Sequence, residues 1–116
     1  MTFDDGIVKV YIVKNTATSG NKPKYELVAK SQHYFGFETI GITRYRTALQ
    51  TKSRIEELIH ILEDRQIFAE DICILEDGLQ YKCGQVQHTT EDGLRITKIE
   101  LERLVEDYVI SKDFQS

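Results

Sequence analysis

Asp71-Ile72-Cys73-Ile74-Leu75-Glu76-Asp77-Gly78-Leu79-Gln80-Tyr81-Lys82-Cys83 carries the clearest local signal in the chain. Two apolar runs flank an Asp-Gly dipeptide, which suits a type I′ turn because both central residues there need positive φ. The spacing predicts a β-hairpin closed by a two-residue turn at Asp77-Gly78. In that register Leu75 faces Gln80, Ile74 faces Tyr81, Cys73 faces Lys82 and Ile72 faces Cys83. Ile72, Ile74, Tyr81 and Cys83 then share one apolar face and Cys73 points to the other, so no disulfide is expected.

Downstream, Gly84-Gln85 shifts the phase so that Val86 becomes the next inward residue, as at a bulge. Thr89-Thr90-Glu91-Asp92-Gly93 reads as a second turn. The element after it, Ile96 to Leu104, supports two periods. Thr97-Lys98-Ile99-Glu100 matches a capping box ahead of a helical stripe at Leu101, Leu104, Val105 and Tyr108. Thr97, Ile99 and Leu101 equally form one face of a strand.

Upstream, Ile7 to Val13 is β-branched and aromatic and reads as a strand. Asn15 to Pro23 is a long hairpin-type loop rich in turn residues. Tyr25 to Phe35 alternates as a long strand that bends or bulges near Gly36. Tyr45, Ala48 and Leu49 sit at helical spacing, so one short helix is expected between Thr43 and Lys52. Arg54 to Leu62 is open. Ile55, Ile59 and Leu62 extend a helical face, while Ile55, Glu57, Ile59 and Ile61 alternate as a strand.

The whole is 116 residues, enough for one compact core, and is read as a single domain over residues 1–116. A hydrophobic content of 41% with 29% charged residues argues against disorder. No apolar run approaches the roughly 20 residues of a membrane span, so no membrane partner is expected. Met1-Thr2-Phe3-Asp4-Asp5 is acidic and unlike a signal peptide, which points to an intracellular protein. A formal net charge of −4 opposes strong non-specific binding to nucleic acid, because phosphate affinity is built from clustered Lys and Arg.

Residues that could carry chemistry are scattered. His33, His60 and His88 fall in three different elements, without HxH, HExxH or CxxC spacing, so neither a metal nor another cofactor is expected. Cys83 with His88 could be imagined as nucleophile and base, but Cys83 lies on the buried face of the predicted hairpin. The acidic pairs, such as Glu63-Asp64 and Glu91-Asp92, read as solvated turn and cap residues. These patterns point away from an enzyme. Arg44-Tyr45-Arg46 is the one basic–aromatic cluster, and in so acidic a chain it suits a protein contact.

Several motifs occur together and in order. They are Gly20-Asn21-Lys22-Pro23-Lys24 before Tyr25-Glu26-Leu27-Val28, Tyr34-Phe35-Gly36, and Thr39-Ile40-Gly41-Ile42-Thr43-Arg44-Tyr45. Asp71 to Tyr81, Gln85-Val86-Gln87-His88, Asp92-Gly93-Leu94 and Thr97 to Arg103 follow. Across nearly the whole chain this order resembles the head-closure (head–tail joining, or stopper) proteins of long-tailed bacteriophages and prophages. The resemblance implies a mainly β protein, a small antiparallel β-barrel with a long inserted loop and a short helix. It also implies a homo-oligomeric ring between the portal and adaptor and the tail-completion proteins. Such a ring closes the DNA-filled head and lies close to packaged DNA in the virion, after synthesis in the bacterial cytoplasm. The same likeness tips Arg54–Ile61 and Ile96–Arg103 towards strand. Cys83-Gly84, where relatives are bulkier and apolar, and the charged Arg54-Ile55-Glu56-Glu57 depart from the pattern.

Contacts with neighbouring subunits are expected from the Asn15–Pro23 loop and the Tyr34–Lys52 segment, with Asn21, Lys22, Phe35, Phe37, Arg44, Tyr45 and Arg46 as interface candidates. Phe35, Phe37 and Tyr45 would give that surface its aromatic character. The competing function is a free-standing barrel-type module that binds nucleic acid or a regulatory protein.

Overall fold

A computed structural model of the chain describes residues 2–15, 17, 20, 22–38 and 57–110. It is mainly β: β1 (Gly6–Asn15), β2 (Tyr25–Phe37), β3 (Glu57–Leu62), β4 (Ile72–Ile74), β5 (Gln80–Glu91), β6 (Leu94–Arg103) and β7 (Val109–Ile110). Hydrogen bonding runs in the order β1-β4-β5-β6-β3-β2, and β1 pairs again with β2, so six strands form a closed ring. Every pairing within the ring is antiparallel. β7 adds to β2 in parallel, with Glu26 opposite Val109 and Leu27 opposite Ile110.

Period-two alternation sends Val8 and Val10 of β1, Ile59 and Ile61 of β3, Cys73 of β4 and Ile99 and Leu101 of β6 into one buried cluster. Phe35, Tyr81 and Cys83 join them. Burying each such aliphatic or aromatic side chain stabilises the fold by about 1.5–3 kcal/mol, so this cluster dominates the favourable side of folding. A second cluster lies on the opposite face of β1 and β4, where Tyr11 and Ile72 meet Leu27. Leu104, Tyr108 and Ile110 pack over it. The stretch from Leu104 to Ile110 is therefore a strap across the outside of the ring. Gln80 clips it: its Nε2 donates to the Tyr108 carbonyl at 2.9 Å, and its Oε1 accepts from the Tyr108 N–H at 2.8 Å.

Strand is the observed state of Glu57–Leu62 and of Leu94–Arg103, so the helical alternatives for those residues fail. Hydrogen bonds to strands on either side of β6 secure it, which local helical spacing cannot offer. The short helix expected between Thr43 and Lys52 lies outside the described residues. A bulge does follow Cys83: Cys83 faces Leu101 and Val86 faces Ile99, leaving Gly84 and Gln85 opposite one residue. Val86 packs on the inner cluster, as the phase shift requires.

Two local expectations are corrected. The irregularity in β2 is at Lys30, not Gly36, because Val10 faces Ser31 and Tyr11 faces Ala29. The extra residue frees Lys30 to reach Asp71 Oδ2 at 2.6 Å and to lie 4.9 Å over the Phe68 ring. Gly36 instead pairs regularly with His60, and a Cβ there would run into the Thr2 carbonyl and the His60 ring. The β4–β5 register is also one residue away from the predicted one. Cys73 faces Tyr81, Ile72 faces Lys82 and Ile74 faces Gln80. Gly78 is left-handed (φ 76), whereas Asp77 is not among the residues of positive φ, so the turn is not type I′. A slip of one residue reverses every side chain, and Cys73 turns inward beside Cys83.

Candidate interface at the ring end

Phe35 and Phe37 project to the same side of β2, two residues apart, and their rings meet edge to face with centroids 5.1 Å apart. Phe35 is only 1% exposed and belongs to the inner cluster, which removes it from the interface candidates. Phe37 sits at the end of the strand, where the core runs out, and is 47% exposed. Lys22 is exposed on the loop between β1 and β2, whose neck is closed by Asn15 Oδ1 accepting from the backbone N–H groups of Ala17 and Lys24. Asn21, Arg44, Tyr45 and Arg46 lie outside the described residues.

The segment Thr2–Asp5 is laid against the same end of β2. The Asp5 N–H donates to the Phe35 carbonyl at 3.0 Å, and Asp5 Oδ2 accepts from the Phe37 N–H at 2.8 Å. Beside it, Phe3, Gln32, His33, Tyr34 and Leu62 line a shallow groove. Tyr34 is 68% exposed and Leu62 55%, both on the outer side of their strands, opposite to the side that carries Phe35 and Phe37. Phe3 and Leu62 were not distinguishable in the sequence, since their position depends on the Thr2–Asp5 segment crossing β2 and β3.

His60 anchors that crossing. It sits between Gly36 and Lys98 in the sheet, 5% exposed, with Phe3 edge-on at 5.0 Å between ring centroids. Its Nε2 lies 2.5 Å from the Thr2 carbonyl. A carbonyl can only accept, so Nε2 carries the hydrogen. Nδ1 makes no hydrogen bond, its nearest charged neighbour being Glu38 Oε1 at 3.5 Å. Lys98 Nζ continues the network to Glu38 Oε2 at 3.4 Å and Glu91 Oε1 at 2.7 Å. The hydrogen bond to Glu91 holds the Lys98 ammonium above its ordinary pKa, against a smaller opposing effect of burial.

Ser31, His33 and Asp64 meet in an arrangement that invites comparison with a nucleophile–base–acid relay. Ser31 Oγ lies 3.2 Å and Asp64 Oδ2 2.9 Å from His33, but both are on the same ring nitrogen, Nε2. A relay needs one nitrogen for the nucleophile and the other for the carboxylate. These three residues therefore cannot pass a proton from serine to carboxylate through the ring. Asp64 instead ties loop to sheet, its N–H donating to Thr97 Oγ1 at 3.0 Å, and the same hydroxyl lies 2.8 Å from His88 Nδ1. Each histidine is thus engaged by different partners. Among the described residues, no three His, Cys, Asp or Glu side chains are grouped to hold a metal.

Cys83 is buried as the sequence suggests, whereas Cys73, expected on the opposite face, is turned inward with it. Cys73 Sγ and Cys83 Sγ lie 3.2 Å apart in the core, both as free thiols. The Cys83 hydrogen bond, reinforced by burial, pushes the Cys73 pKa well above its ordinary value. Among the described residues no helix is long and apolar enough to cross a membrane. Compared with protein-family models and with curated proteins, the chain matches none.

Proposed function

We propose that this chain is a structural connector of the phage head-closure type. In this reading the six-strand ring is a small antiparallel β-barrel, and copies assemble around an axis between the portal and adaptor and the tail. The assembled ring closes the DNA-filled head and offers the tail a docking face. The observation that carries the reading is Phe37, a half-exposed aromatic at the strand end where the chain leaves for residues 39–56. Tyr34 and Leu62 add exposed apolar side chains on the outer side of the ring, and surface of this kind suits protein contact. The acidic net charge suits a ring that DNA passes without adhering. The ordered motifs described above supply the identity of the assembly.

Phe37→Asp tests this directly. The substitution touches a half-exposed side chain, so the fold is expected to survive with a loss of about 1 kcal/mol. Ring assembly is expected to fail, and DNA-filled heads carrying the variant are expected to leak DNA or refuse tails. Normal head maturation and tail joining with Phe37→Asp would remove the basis for the proposal. A monomer that binds single-stranded nucleic acid would favour the free-standing module instead.

A further inference from the structure

The two core thiols, both fully buried, touch each other. Cys73 faces Tyr81, and Cys83 lies two residues further along β5. The Cys83 N–H donates to the Asp71 carbonyl at 2.7 Å, and its carbonyl accepts from the Glu70 N–H at 2.9 Å. The cysteines are therefore diagonal neighbours across one strand pair. Such neighbours have Cα atoms about 7–8 Å apart, at or just beyond the range of relaxed disulfides, whose sulfurs are bonded at about 2.0 Å. The observed separation of 3.2 Å is a non-bonded contact, and a diagonal pair closes to a bond most readily with a local shift of β4. β4 is suited to such a shift, being three residues long. It is preceded by Glu70, which is left-handed at φ 77, and followed by a loop over 75–79 that contains the left-handed Gly78.

We propose that Cys73 and Cys83 form a reversible dithiol–disulfide pair that draws β4 against β5 when oxidised by a low-molecular-weight disulfide. One cysteine loses its proton and attacks a sulfur of the oxidant, breaking that bond and releasing one thiol. The second cysteine, deprotonated in turn, attacks the mixed disulfide at the protein sulfur and releases the second thiol. Two electrons pass from the cysteines to the oxidant, and the two protons end on the released thiols. The diagonal geometry strains the new bond, and strained disulfides are the readily reduced ones. In the closed fold both sulfurs are buried and reaction waits on local opening of β4. The outer face of β4 carries Ile72 and Ile74 beneath the Leu104–Ile110 strap, so a shift of β4 is felt there too.

The test uses the folded full chain in glutathione buffers of graded ratio, quenched and analysed by intact mass and peptide mapping. The expected product has lost two hydrogens, links Cys73 to Cys83, contains no covalent dimer and reverts with dithiothreitol. The linked fraction should rise from a tenth to nine tenths over about two decades of the redox ratio, as a single two-electron couple requires. Amide exchange between residues 104 and 110 should change on oxidation in the unmodified chain, and not in Cys83→Ala. If both thiols stay free in folded protein at oxidising ratios that link them readily in urea, the pair is packing alone and the proposal fails. Glutathione adducts or intermolecular links without the internal bond would overturn it equally.

Discussion

At Asp92-Gly93 both residues are left-handed, with φ 52 and 77, and Glu91 faces Leu94 across a two-residue turn of the type I′ kind. At Asp77-Gly78 only the glycine is left-handed, and Ile74 faces Gln80 across a longer loop in which the Gly78 N–H donates to the Leu75 carbonyl at 2.9 Å. The dipeptide is the same, and the difference comes from what surrounds it. Asp77 Oδ1 accepts from the Leu79 N–H at 2.9 Å and its Oδ2 accepts from Tyr81 Oη–H at 3.1 Å, while Glu76 Oε1 accepts from the Ile7 N–H at 2.7 Å. These bonds hold Asp77 and Glu76 in the longer loop. The strands on either side of Asp92-Gly93 are long and pair without interruption from Val86 opposite Ile99 to Glu91 opposite Leu94, so the turn there follows the ladder. Turn chemistry chooses among registers, and tertiary contacts decide between close competitors.

The sharpest way to break that comparison is to charge the two faces of β4 in turn. Cys73→Asp places a carboxylate at a fully buried site and is expected to cost about 4 kcal/mol or more, enough to leave the chain largely unfolded. Ile74→Asp falls on the partly covered outer face and is expected to cost about 2 kcal/mol. Urea unfolding, with soluble yield as a second readout, ranks the two. The opposite ranking would restore the two-residue register in which Ile74 faces inward.

That ranking also marks where the sequence stopped being informative. Strand identity was legible for β1 and β2 from β-branched and aromatic alternation, and the bulge after Cys83 from Gly84. β4 was legible as a strand too, but not which of its sides faces inward, because Ile72, Cys73 and Ile74 are apolar on both faces and period two cannot choose between them. The choice depends on the strap from Leu104 to Ile110, which covers Ile72 and Ile74 from thirty or more positions away in the chain. Phe35 was misjudged for a related reason: the bulge at Lys30 resets which side of β2 faces the core. Phe37 was legible as exposed, whereas the groove lined by Phe3, Tyr34 and Leu62 depends on Thr2–Asp5 crossing the sheet, a non-local contact with no local signature.

A second pair of substitutions separates the turns themselves. Asp77→Ala removes two hydrogen bonds that hold the longer loop and is expected to cost about 1–2 kcal/mol. Asp92→Gly places the most permissive residue at φ 52 and is expected to stay within about 0.5 kcal/mol of the unmodified chain. Equal losses in thermal or urea unfolding would mean that the side-chain bonds of Asp77 contribute nothing beyond its backbone preference.

The smallest difference between the hairpins is in alkaline behaviour. Tyr81, in the first, has its pKa raised by burial and then by its hydrogen bond to Asp77. Lys98, paired with Glu91 at the second turn, is raised chiefly by that hydrogen bond. A group whose native pKa lies above its unfolded value favours the fold fully below the unfolded value, and that contribution fades as pH rises through the native one. With unfolded values of about 10 for tyrosine and about 10.4 for lysine, neither contribution varies near neutrality and both are lost on the alkaline side. Lys98 is partly exposed and its pair is screened by water and salt, so its share is expected to stay under about 1 kcal/mol and to shrink in high salt. The Tyr81 shift comes first from burial, so salt should reduce its share less than that of Lys98. Lys98→Met should therefore remove the more salt-sensitive part of the alkaline loss and Tyr81→Phe the less salt-sensitive part, with phenolate absorbance following the second. An alkaline loss that is the same in Tyr81→Phe as in the unmodified chain would show that the Tyr81–Asp77 bond plays no part in holding the first hairpin in its longer loop.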